Sequence, residues 1–62
     1  MTSIANMIKR ISGLAGTADV SEWESDFIYS IVEKTDGGES TTGLTGKQVE
    51  VVQRIFNKHF SS

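Results

Sequence analysis

The sequence predicts an all-α domain, a small three-helix bundle, on three observations. Apolar residues recur at steps of three and four in three separate segments, which is the period of one face of an α-helix. Two of these segments open on a hydroxyl residue followed three positions later by Glu or Gln, the spacing of a capping box. Between the second and third segments, residues 35–43 hold three glycines, no aliphatic side chain and no period, the pattern of a loop. Helices are therefore expected over about residues 3–15, 21–34 and 46–60 of a single domain, 1–62, with the second and third as an antiparallel pair.

The first segment places Ile4, Met7, Ile8, Ile11, Leu14 and Ala15 on one face. Lys9 and Arg10 project from the other, toward the C-terminal half where positive charge suits the helix dipole. Gly13 and Gly16 weaken the end. This stripe carries no aromatic residue, so it is open whether it packs on the other two helices or is offered to a partner.

The second helix starts at Ser21 with Glu24 as its capping partner, or half a turn earlier at Asp19 with Glu22. Trp23, Phe27, Ile28, Ile31 and Val32 form its apolar stripe, leaving Glu24, Ser30 and Glu33 for solvent. Glu22 and Glu24 also sit in the first turn, where unpaired amides favour negative charge. The third helix opens on Thr45 and Gln48, with Leu44 and Val49 spaced as a hydrophobic staple. It continues through Val51, Val52, Ile55, Phe56 and Phe60, and Ser61 and Ser62 are expected to fray. Trp23, Phe27, Phe56 and Phe60 are assigned to the core, whereas Tyr29 falls off the stripe beside Asp26 and Glu33.

A chain of 62 residues buries only roughly 60% of the surface its unfolded form exposes, so stability is expected to be marginal. There is no cysteine, which removes disulfides, thiolate metal sites and cysteine nucleophiles together. No apolar run approaches the ~18 residues of a membrane span, and Met1 to Arg10 lack a basic start leading into an apolar stretch. The expected setting is cytoplasmic, with no membrane partner. The net charge of −2 gives no bulk attraction to nucleic acid, but it is unevenly spread. Asp19, Glu22, Glu24, Asp26 and Glu33 crowd the middle, and Lys47, Arg54 and Lys58 make the last third basic.

Residues for chemistry are scarce, and the sequence predicts no enzyme, no cofactor and no metal site. His59 is the one histidine and has no cysteine to share a metal with, whereas zinc needs three or four convergent ligands. Asp19, Glu22 and Asp26 can approach one helix face, yet acid–base work needs a pocket to shift one carboxyl, and a domain of this size rarely encloses one. Gly46-Lys47 opens a helix in the manner of a phosphate loop, but Thr41 stands where the first glycine belongs and Gln48 where Ser or Thr does.

The pattern Trp23-x-x-x-Phe27-Ile28-x-Ser30-Ile31, a glycine-containing loop, then Leu44-Thr45-x-Lys47-Gln48-x-x-x-Val52-x-x-Ile55 resembles a helix-pair segment of phage and bacterial DNA-processing proteins. It covers residues 23–55, about half the chain. The resemblance implies a small accessory piece of a nucleic-acid or phage–host system, set in the host cytoplasm if the chain is phage-encoded.

Charge segregation and one off-stripe aromatic favour a protein-binding adaptor or inhibitor, its interface drawn from Asp26, Tyr29, Glu33, Asp36 and Glu39. The alternative is a nucleic-acid-binding accessory module using Lys47, Arg54 and Lys58 with Lys9 and Arg10. A further alternative is a homo-oligomer formed through helix one.

Overall fold

Ser3 begins the fold by capping: its Oγ accepts the Asn6 amide at 3.2 Å, and α1 runs Ile4–Ile11. The computed structural model describes residues 3–60; the fraying expected of Ser61 and Ser62 lies outside them. The expected helix to residue 15 is shorter, ending in a single 3₁₀ turn, Ser12–Leu14. The Ser12 hydroxyl donates to the Lys9 carbonyl at 2.6 Å, and Gly13 follows. A hydroxyl that competes for backbone groups and a poor helix former together end the α-helical run.

The chain then turns at Gly16 (φ +78°), whose amide donates to Ser25 Oγ at 3.0 Å. Helix α2 spans Glu22–Thr35 and opens on the Ser21 box: Glu24 N donates to Ser21 Oγ at 3.1 Å, and Ser21 N donates to Glu24 Oε1 at 2.8 Å. The alternative start at Asp19 is not used. Helix α3 spans Gly46–Phe60. Its box is complete as well, with Gln48 N on Thr45 Oγ1 at 3.1 Å and Thr45 N on Gln48 Oε1 at 3.0 Å.

Thr35, assigned from the sequence to the loop, is the last residue of α2 and is fully buried. Its hydroxyl donates to the Ile31 carbonyl at 2.6 Å and accepts the Gly38 amide at 3.1 Å. Asp36 is left-handed (φ +53°), and Gly37 N returns to the Val32 carbonyl at 2.8 Å, closing the helix end. Gly38 (φ +97°) is then pressed against α1, where a Cβ would lie 3.0 Å from the Ala5 carbonyl oxygen and 3.2 Å from Lys9 Cγ. Gly38→Ala is expected to cost at least about 1–2 kcal/mol, because a left-handed alanine is strained even without the clash. Urea unfolding checks this, and an unchanged midpoint would contradict the packing of the loop on α1.

The core draws on all three helices: Ile8 and Ile11 from α1, Ile28 and Ile31 from α2, and Val51, Val52 and Ile55 from α3, with Val20 from the linker. Helix one therefore packs on its own chain. Its broadest contact is with α3, and the α2–α3 interface is the thinnest of the three. Helices two and three are nonetheless antiparallel. The start of α2 meets the end of α3 through Glu24 Oε2 and Lys58 Nζ at 3.7 Å, and the end of α2 meets the start of α3 through Lys34 Nζ and Gln48 Oε1 at 3.0 Å.

The aromatic residues depart from expectation. Phe27 and Phe56 are half-buried at the rim of the core, while Trp23 is 63% and Phe60 42% exposed. At 3.6 residues per turn, Trp23 lies about 110° round α2 from the mean direction of Ile28 and Ile31. An interior already filled by β-branched side chains in so small a domain has no room to surround an indole.

Candidate functional site

The side of α2 opposite its core residues is built by spacing. Glu22, Asp26, Tyr29 and Glu33 follow one another at steps of four, three and four, which lines them along one face. All four are exposed. Tyr29 is 57% exposed, and its hydroxyl lies 2.8 Å from where a Gly16 Cβ would stand, so the linker closes over the polar end of the ring. Trp23 borders the same face and stacks on Phe27, with ring centroids 5.7 Å apart and planes within 10°. An indole supported from beneath by a half-buried phenyl ring is held in position while its upper surface meets solvent.

Of the residues proposed from sequence for a protein interface, Asp26, Tyr29 and Glu33 are brought together on this face. Asp36 stands beyond its end as the left-handed cap. Glu39 is diverted: its Oε1 pairs with Lys9 Nζ at 3.4 Å, tying the loop to α1. Trp23 stands exposed at the border of the face although the sequence assigns it to the core. The signal that finds it is angular, since Trp23 sits at the margin of the apolar stripe rather than at its centre.

The basic candidates are largely engaged. Lys9 pairs with Glu39, Arg54 with Glu50 at 3.3 Å, and Lys58 with Glu24 at 3.7 Å. Lys47, Arg54 and Lys58 do share one stripe of α3 by spacing, but two of the three carry a neutralising partner. Among the described residues, Arg10 and Lys47 are the candidate cations without one.

Glu24, expected to face solvent, has a side chain only 13% exposed. Its Oε1 accepts the Ser21 amide, and its Oε2 lies 3.7 Å from Lys58 Nζ of α3. The Ser21 backbone amide holds its carboxyl below the ordinary 4.5, with smaller help from the Ser21 hydroxyl, Lys58 and His59, against the opposing effect of burial. A lowered carboxyl contributes stability above its unfolded value and loses that contribution as pH falls through the folded one. Stability is therefore expected to drop on acidification from neutral pH through and below 4.5. Glu24→Gln keeps the capping geometry and should flatten that dependence; thermal midpoints across the pH range read it, and an equally steep profile in both proteins would contradict it.

His59 is half-buried on α3, its Nε2 enclosed without a hydrogen-bond partner among the described residues. Among those residues no three metal-ligating side chains converge, no pocket opens, and no helix is long and apolar enough to cross a membrane. The arrangement offers a surface rather than a cleft. Comparisons with protein-family models, with curated proteins and with solved structures each found no match.

Proposed function

We propose that this chain is a small non-enzymatic binding module, an adaptor or inhibitor, that docks on another protein through the outer face of α2. The observation that carries this reading is the exposure of Tyr29 on the same helix face as Asp26 and Glu33, with Trp23 exposed at the border of that face. Exposed aromatic area forgoes burial worth about 25 cal/mol per Å², and tryptophan and tyrosine are, with arginine, the residues enriched at interface hot spots. Both rings are also held in place, Trp23 by Phe27 and Tyr29 by the linker at Gly16. A preorganised side chain surrenders little further entropy when a partner covers it.

The nucleic-acid alternative has less support, because Lys9, Arg54 and Lys58 already have carboxylate partners. Self-association through helix one would have to use residues at the edge of its stripe, such as Ile4 and Met7, since Ile8 and Ile11 are enclosed in the chain's own core. The setting we attach to the module, an accessory role in a phage or bacterial nucleic-acid system in the cytoplasm, rests on the resemblance of residues 23–55. Affinity capture from the native cells, run in parallel with the unsubstituted chain, Trp23→Ala/Tyr29→Ala and Arg10→Ala/Lys47→Ala, tests the docking face. A protein retained by the first and third but lost by the second is expected. Retention by the aromatic variant with loss by the basic one would overturn the reading.

A further inference from the structure

We infer that the partner lays the lysine- and arginine-rich face of a helix along α2. This inference rests on the reading of α2 as the docking face and names the chemistry that face selects. Three of the chain's carboxylates, Glu24, Glu39 and Glu50, meet a cation of their own chain. Glu22, Asp26 and Glu33 meet none among the described residues. The helix dipole accounts for Glu22 in the first turn of α2. It does not account for Asp26, and it opposes Glu33, which stands in the last turn, where negative charge is unfavourable. The negative charge on this face is thus left open at a cost to the helix.

The aromatic rings fit the same occupant. The upper surface of Trp23 and the exposed part of Tyr29 flank the carboxylates, and aromatic faces attract lysine and arginine head groups while their aliphatic stems cover the ring. The shape is that of a helix-sized ridge: Glu22 to Glu33 spans about 16 Å along the α2 axis at 1.5 Å per residue, with no pocket for a compact ligand among the described residues. An anionic nucleic acid or membrane surface would be repelled. A second copy of this chain supplies a poor match: among the described residues half of its six lysines and arginines are already paired with a carboxylate, and the other three, Arg10, Lys34 and Lys47, lie on three different helices.

The test uses the full chain and three fluorescein-labelled helical peptides of the same leucine-containing design, bearing on one face lysine and arginine, or glutamine, or glutamate, read by fluorescence anisotropy. The cationic peptide is expected to bind at least about tenfold more tightly than the glutamine peptide, with affinity falling as salt is raised. Asp26→Asn/Glu33→Gln is expected to weaken the cationic peptide by about tenfold or more, and Trp23→Ala to weaken it further. Equal binding of the glutamine peptide, or no binding of the cationic one, would overturn the inference. If the glutamine or glutamate peptide bound and Trp23→Ala abolished it, the docking face would stand and the cationic partner would fall. If the cationic peptide bound all variants equally, the docking face itself would fall and the inference with it.

Discussion

Ile8→Ala is expected to remove about 2–5 kcal/mol of folding stability, the range for truncating a fully enclosed isoleucine. A domain of 62 residues has in total only about 3–9 kcal/mol to lose at the usual 0.05–0.15 kcal/mol per residue. The variant should therefore be largely unfolded at room temperature or retain a shallow, early transition in urea. The expectation rests on the position of Ile8 in the shared core of α1, α2 and α3, with no exposed surface. Ile8→Val, which removes one methyl group, should cost about 0.5–1.5 kcal/mol and remain folded. Circular dichroism against urea reads both. A near-native Ile8→Ala would mean that α1 is not part of the core.

The second large effect is on binding. Trp23→Ala is expected to weaken the partner complex by about 2 kcal/mol or more, roughly 30-fold, as truncation of a tryptophan hot spot does. Its cost to folding should be small by comparison. The indole is 63% exposed, and its stacking on Phe27 is worth about 0.5–1.5 kcal/mol beyond the area it buries. Asp26→Lys reverses a charge on the same face without touching the core, and it should slow association and remove much of the salt dependence. Surface plasmon resonance beside thermal unfolding separates the two kinds of loss. A Trp23→Ala protein that bound normally, or that lost binding only because it unfolded, would contradict the assignment.

The helix starts were legible because they are local chemistry. Ser21 with Glu24, and Thr45 with Gln48, carry their partners within a single turn, so spacing alone identifies them. The apolar period likewise named Ile8, Ile11, Ile28, Ile31, Val52 and Ile55 as core-facing. The burial of Thr35 was not legible. It follows from closure of the Asp36–Ser40 turn, in which Gly38 N returns to the Thr35 hydroxyl and Ser40 N to its carbonyl at 2.9 Å. The exposure of Trp23 was hidden for a related reason: periodicity defines a stripe, but which margin of the stripe a neighbouring helix covers depends on the tertiary packing.

The charged surfaces show the same division between local and distant. Asp26, Tyr29 and Glu33 share a face by helical spacing and could be grouped from the sequence. The pairing of Lys9 with Glu39 and of Lys58 with Glu24 joins residues far apart in the chain. No sequence pattern signals such pairs, and they are what thins the basic set while leaving the α2 face negative. The Lys9–Glu39 pair, exposed on both sides, contributes little to folding, typically under about 1 kcal/mol. The consequence of both pairs here is for recognition, since they decide which charges are presented to a partner.

The most direct test of the α2 docking face is a chemical-shift map of the isotopically labelled chain on addition of the captured partner. Shifts should concentrate on Glu22, Asp26 and Glu33, on the Trp23 indole and on the Tyr29 ring, with Ile8, Ile28 and Val52 little changed. Shifts centred on Arg10, Lys47, Arg54 and Lys58, with the Trp23 indole unmoved, would contradict it.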